Sequence, residues 1–318
     1  MMKRLLILLL TLTACSDLLW AQQSDAVTAN DADTLHAVTL RCVEDLTPIN
    51  NLDVQEVNHR PITSTLEVLL GSASVRNTYL APLLYTGQNL GLAYERARRW
   101  KNLGMMSLQT LSGQFTMGED KGGHSENWSG RLRYRYAAHC DWDLFFLTLM
   151  AGPYAGAEVG FDSNLKMAGG NNPATARLAF NTGLSLMGAT HYRLFGRMSK
   201  ASLLVQTPLL GYAMMPEYGA SYYESFMLDN VQHMHHFTSL HNQQDLDVRL
   251  TTDFPLLPSR AGDMRLGVAY HIETMKINHT VNRFSSIEAI IGWTIQSLPF
   301  NRRNQSFTSK PTVCYEAY

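Results

Sequence analysis

Ser129-Gly130-Arg131-Leu132-Arg133-Tyr134-Arg135-Tyr136-Ala137-Ala138-His139-Cys140-Asp141-Trp142 alternates with a period of two. The odd positions carry Ser129, Arg131, Arg133, Arg135, Ala137, His139 and Asp141. The even positions from 132 carry Leu132, Tyr134, Tyr136, Ala138, Cys140 and Trp142. Successive side chains of a strand point to opposite faces, so this stretch predicts a long strand with one cationic, polar face and one apolar, aromatic face.

The pattern recurs. From Asp245, the positions Asp245, Asp247, Arg249, Thr251 and Asp253 oppose Leu246, Val248, Leu250, Thr252 and Phe254. From Asp263, the positions Asp263, Arg265, Gly267, Ala269, His271 and Glu273 oppose Met264, Leu266, Val268, Tyr270 and Ile272. Residues 88–99 set Leu90, Leu92 and Tyr94 against Asn89, Glu95 and Arg99, and residues 177–187 gather Leu178, Phe180, Leu184 and Leu186 on one side. A soluble antiparallel sheet also alternates. These segments, however, run longer than the roughly five or six residues of soluble strands. About 9 to 11 tilted residues cross a bilayer. Rows of Arg, Asp and Glu suit a hydrated lumen, and Leu, Ile, Val and Phe with Tyr and Trp near segment ends suit a lipid-facing wall with an interfacial girdle. The fold class is therefore all-β, an antiparallel transmembrane β-barrel of about twelve strands. The segments are 62–71, 87–99, 104–117, 127–141, 143–151, 153–163, 175–187, 189–197, 200–211, 245–254, 263–275 and 285–297. An even count returns both ends to the periplasm and puts the long polar connectors 118–126, 211–244 and 276–284 outside.

Composition agrees. The chain has 318 residues, 45% hydrophobic and 17% charged, which excludes intrinsic disorder. Past residue 21 no apolar run approaches the roughly 18 to 20 residues of a spanning helix. With 26 Lys+Arg against 27 Asp+Glu the net charge is -1, which gives nucleic acid no electrostatic hold. Lys3 and Arg4 precede an apolar stretch, residues 5–13, and Leu19-Trp20-Ala21 precedes Gln22-Gln23. This reads as a signal peptide, 1–21, cleaved after Ala21. A buried N-terminal helix is the bland alternative. Leu12-Thr13-Ala14-Cys15 also has the form of a lipobox, so a periplasmic lipoprotein anchored at Cys15 stays open. Residues 22–60 read as a periplasmic arm or plug, 61–300 as the barrel, and 301–318 as an irregular tail. Cleavage after Ala21 leaves Cys42, Cys140 and Cys314, which allow at most one internal disulfide; Cys42 and Cys314 could pair.

Three groups of residues invite chemistry. The expected lumen charges are Glu95, Arg131, Arg133, Arg135, Asp247, Arg249, Arg265 and Glu273. The arginine row could draw anions through the barrel, or pair with Glu95, Glu158 or Asp247 and plug it. His233, His235, His236 and His241 form a dense group that could bind zinc, copper or nickel, or simply a hydrated loop. Ser239, His241 and Asn242 suggest a lipid hydrolase, since an outer-membrane phospholipase uses Ser, His and Asn on a barrel wall. Residues two apart on a strand leave Ser239 and His241 roughly 7 Å apart, a marginal distance for a nucleophile and its base. Gly152, Gly156 and Gly160 share one face and read as relief of crowding inside the barrel. There is no phosphate loop, dinucleotide fingerprint or CxxC pair, so no cofactor is implied.

The export signal, the alternating strands, Thr238-Ser239-Leu240-His241-Asn242-Gln243 and Asp253-Phe254-Pro255-Leu256 together resemble an uncharacterised family of Bacteroidetes outer-membrane β-barrel proteins, a domain of unknown function, over roughly residues 60–300. Gln22-Gln23 after the alanine also resembles exported proteins of that group. The resemblance implies fold and place, and brings no assigned activity. Outer-membrane lipid, the barrel assembly machinery during biogenesis and a small polar or hydrophobic solute are the partners such a protein would meet. Three readings follow: a structural or small-solute transport barrel of the outer membrane, a membrane-embedded lipid hydrolase, and a soluble periplasmic sandwich or lipoprotein.

Overall fold

The alternating segments form eleven antiparallel strands in the computed structural model, which describes residues 62–100, 105–144, 147–165, 174–194, 197–217, 234–255 and 262–297. They are β1 (Ile62–Asn77), β2 (Tyr85–Arg99), β3 (Met105–Asp120), β4 (Glu126–Leu144), β5 (Leu147–Asn164), β6 (Ala174–Leu194), β7 (Arg197–Met214), β8 (His235–Ser239), β9 (Gln243–Phe254), β10 (Asp263–Ile277) and β11 (Thr280–Ser297). The signal-peptide, Cys15, Cys42, Cys314, arm and tail expectations fall outside the described residues.

The sheet closes on itself. Each strand from β1 to β7 pairs with the next, β7 pairs with β9, β9 with β10, β10 with β11, and β11 with β1 over Ile62–Asn77. Closure gives every strand of the ring a partner on both sides, which is the condition for a sheet in hydrocarbon. The ring holds ten strands, and β8 is one extra short strand. It continues beside β7 at Leu210–Met214, where β9 leaves off at Gln206.

The expectation of twelve strands is corrected to ten plus this extra piece, for two reasons. Gly152-Pro153 reads as a break, yet β5 runs straight through it. Pro153 pairs with Leu184 of β6, while the β4 ladder skips Ala138 and His139 opposite it. A proline, which lacks an N–H, fits where a ladder bond is already missing. Gly188 likewise lies inside β6, so the segments expected at 175–187 and from 189 onward share one strand of 21 residues that ends at Leu194. The expected long connector 276–284 is also corrected. β10 and β11 meet in a two-residue turn at Asn278-His279, both with positive φ (53° and 58°), as a hairpin of the primed type requires. The connector 118–126 shrinks to residues 121–125. There Asp120 Oδ1 accepts the backbone N–H groups of His124 (2.8 Å) and Ser125 (3.0 Å).

The two faces are inverted relative to a water-soluble sandwich. Leu66, Leu92, Leu186, Leu250, Ile287 and Ile295 point outward and are more than half exposed. No second protein layer covers this wall among the described residues. Glu67, Arg131, Arg265, Glu273 and Glu288 point inward and are buried. Trp128 and Trp142 lie exposed near the two ends of β4 on the outer face. From 128 to 142 is about 46 Å along a strand at roughly 3.3 Å per residue. At a tilt near 45° that is about 33 Å of height, close to the roughly 30 Å hydrocarbon thickness. The soluble-sandwich alternative needs the greasy face to be covered, and this barrel leaves it bare.

Candidate functional site

Inward-pointing charge is the only extensive constellation that the strands build among the described residues. Register decides who meets whom. Near the end where β1 begins, Arg265 of β10 lies at the centre of three carboxylates. Its Nε and Nη2 donate to the two oxygens of Asp253 (2.6 and 3.0 Å), and its Nη1 reaches Glu67 (3.0 Å) and Glu95 (2.7 Å). Arg249 also donates to Glu67 and lies 3.6 Å from Glu95. At mid-height Arg135 Nη1 donates to Asp247 (2.5 Å) and to Gln206 (3.0 Å), with Asp245 at 3.5 Å. His271 Nε2 lies 2.9 Å from Asp245. Arg133 donates to Gln114 (3.0 Å) and lies 3.7 Å from Asp247. Toward the hairpin end, Arg131 donates to Glu273 (2.6 Å) and lies 3.6 Å from Glu158, with its guanidinium 3.7 Å above the Phe284 ring. Arg177 joins the same two carboxylates at 2.5 and 2.7 Å. Gly160 makes this possible, because a Cβ there would sit 2.7 Å from Arg177 Nε.

All eight expected lumen charges point inward and every one has an ion-pair partner. The site also includes Glu67, Arg177, Asp245, Asp253 and Glu288, beyond the eight expected lumen charges. Parity was the available signal for Glu67 and Glu288, since each alternates with outward Leu or Ile neighbours. Glu288 has amides instead of a cation: Asn89 Nδ2 donates at 2.6 Å and Gln114 Nε2 at 2.8 Å. Among the described residues, buried carboxylates (Glu67, Glu95, Glu158, Asp162, Asp245, Asp247, Asp253, Glu273, Glu288) outnumber the buried arginines (Arg131, Arg133, Arg135, Arg177, Arg249, Arg265). The arginine row is therefore neutralised in place and offers a passing anion no net attraction. Between these ties lies a cavity of about 30 Å³ lined by Gln114, Arg133, Arg135, Gln206, Asp247 and Arg249, among others. That is room for about two or three water molecules.

Among the described residues the other two groups do not assemble into a site. His235 and His236 fall on opposite faces of β8, as alternation dictates. His235 stacks on Tyr212 and contacts its hydroxyl. His233 lies outside the described residues, and no three His, Cys, Asp or Glu groups gather for a metal among the described ones. Ser239 and His241 do touch, Oγ to Nδ1, because 240–242 is a turn and not the strand that a 7 Å spacing assumed. Asn242 serves the turn: its Oδ1 accepts Ser239 N–H (2.8 Å) and its Nδ2 donates to Phe237 O (3.0 Å). A nucleophile needs a base that is itself oriented by a third group, and here that group is spent on the backbone. In phospholipid micelles, fatty-acid release is expected to stay at background with or without Ser239→Ala. Release abolished by that substitution would restore the hydrolase reading.

An apolar outer wall, a closed ladder and a charged interior define a transmembrane-type antiparallel β-barrel. Residues 7–304 match the family described as Protein of unknown function (DUF3316), and the chain belongs to that family. None of the curated proteins matches it. Among solved structures, it is similar to the translocator domain of the autotransporter NalP from Neisseria meningitidis (8% identity, 73% of this chain and 88% of that one, TM-score 0.31). It is also similar to the beta domain of the Bordetella autotransporter BrkA (10% identity, 74% and 98%, TM-score 0.27) and to Pseudomonas aeruginosa OpdL (7% identity, 74% and 99%, TM-score 0.17). At TM-scores this low none of these likenesses bears on activity.

Proposed function

We propose that this chain is an outer-membrane β-barrel of a Gram-negative envelope, exported behind a cleaved signal peptide, with a structural or small-solute-binding role and a lumen held shut by its own charges. The end where β1 starts and β11 stops faces the periplasm, and the opposite end, with the 121–125 and 278–279 turns, faces outward. The observation that carries this reading is the filled mid-barrel. Arginine–carboxylate ties cross it, and the cavity beside Arg133, Arg135 and Asp247 is about 30 Å³. A hydrated ion carries a shell of several waters and needs a wider path than room for about two or three of them. A solute would meet the barrel at its outer mouth, not along a continuous channel.

In planar bilayers the wild-type protein is expected to insert without steady conductance. Arg131→Ser with Arg177→Ser removes two guanidinia from the outer half of the lumen and is expected to produce resolvable, cation-favouring steps, because Glu158, Glu273 and Asp162 stay behind. Stable conductance of the wild type, unchanged by the double variant, would overturn the closed-lumen reading.

A further inference from the structure

We infer that the outer rim of β1, β11 and β10 binds the phosphate groups of a phosphorylated glycolipid of the outer leaflet (lipid A) through Arg76, Arg283 and Lys276. This rests on the membrane orientation proposed above. Arg76 and Arg283 are direct cross-strand partners, and both are exposed on the outer face. Lys276 pairs with Val281, while Arg283 pairs with Thr274, so Lys276 is the diagonal neighbour of Arg283 on that same face. Like charges directly opposite destabilise a sheet unless something neutralises them. Among the described residues no carboxylate lies within ion-pairing distance of these three cations. The outward neighbours on the flanking strands are Thr86 and Gln88 of β2 and Gln244 and Leu246 of β9. The protein thus concentrates three positive charges and supplies no counter-charge.

Their height identifies the counter-ion. Below the cations on the same wall come Ser74, hydrogen-bonded to Thr86, and its partner Ser285; next come Ser72 with the exposed Ile287 and Tyr270 in register with it, and then the exposed Leu70. Arg283 stands four residues above Ile287, about 13 Å along the strand at roughly 3.3 Å per residue. That places the cations just beyond the apolar band, at headgroup level, where long basic side chains reach phosphate. A guanidinium fork suits two phosphate oxygens at once. Two arginines and a lysine within one cross-strand patch suit a lipid that carries more than one phosphate, and the apolar wall beneath them suits its acyl chains.

The test is native mass spectrometry of the full-length protein in detergent, with bis-phosphorylated lipid A as probe and dephosphorylated lipid A, phosphatidylglycerol and inorganic phosphate as comparisons. Wild type is expected to retain the bis-phosphorylated form selectively. Each change among Arg76→Gln, Arg283→Gln and Lys276→Gln is expected to weaken retention about fivefold, and the triple variant on the order of a hundredfold. Lys121→Gln, a cation in the exposed 121–125 turn, is expected to leave retention unchanged. Folding of each variant is checked by heat-modifiable gel migration. Equal retention by wild type and triple variant overturns the inference, as does equal retention of the dephosphorylated lipid, of phosphatidylglycerol or of inorganic phosphate. A chain that stays soluble without detergent sinks the envelope reading itself. A chain that inserts and shifts on the gel, yet holds the lipid no better than its triple variant, sinks only this inference.

Discussion

Arg265→Met is expected to lower barrel stability by about 3 to 5 kcal/mol, the cost of leaving buried charge without its partner. Arg265 is among the most deeply buried side chains of the protein and ties Asp253, Glu67 and Glu95 together. With it gone, Arg249, which reaches Glu67 and Glu95, and the nearby Lys200 are left to face three carboxylates. Methionine fills much of the volume, so the loss is electrostatic more than steric. Adding Glu95→Gln and Asp253→Asn to the variant leaves a balanced Arg249–Glu67 pair, and most of the lost stability should return. Denaturant unfolding in lipid vesicles, or the temperature at which the compact gel band converts to the extended one, reads both results. If the triple variant is no more stable than Arg265→Met alone, the ties are not what holds this end of the lumen.

Leu250→Arg is the second large effect, and it separates lipid from water. Leu250 is 55% exposed on β9, between Leu203 of β7 and Val268 of β10, which are also bare. A surface leucine of a soluble protein can become arginine within about 0.5 kcal/mol. On the lipid face of a barrel near mid-membrane the same change costs about 2 to 4 kcal/mol. Folding into vesicles, followed by titration with urea, gives the difference. Arginine at Ser72, nearer the rim, is the control and should cost about 1 kcal/mol or less. Equal and negligible costs at both positions would mean that the wall meets water.

How much of this was legible from the residues alone varies with the range of the interaction. The faces were legible, because Arg131, Arg133 and Arg135 alternate with Leu132, Tyr134 and Tyr136 and strand geometry leaves no freedom in that assignment. Strand ends were less so. Pro153 and Gly188 carry the local signals of a turn, and the ladders on either side override them. Asn278-His279 lacks the glycine that marks most two-residue turns, so the polar run around it read as a long loop. Lumen partners were not legible pair by pair. Arg131 meets Glu273 across the barrel, 142 residues away, and the stagger of closure selects that match. One strand's pattern says that a charge points inward, not which charge it finds. Ser239 and His241 failed in the opposite direction: assumed to be on a strand, they sit at a turn, and their contact is local.

The central claim is that the apolar face touches lipid while the charged face encloses the interior. Thr251 and Leu250 are adjacent on β9 and point to opposite faces, 6% and 55% exposed. With single cysteines placed at each position in a cysteine-free background, labelled with a small fluorophore and folded into vesicles, brominated acyl chains should quench the label at 250 strongly and the label at 251 hardly at all. Equal quenching at both positions, or quenching at 251 alone, would contradict the account.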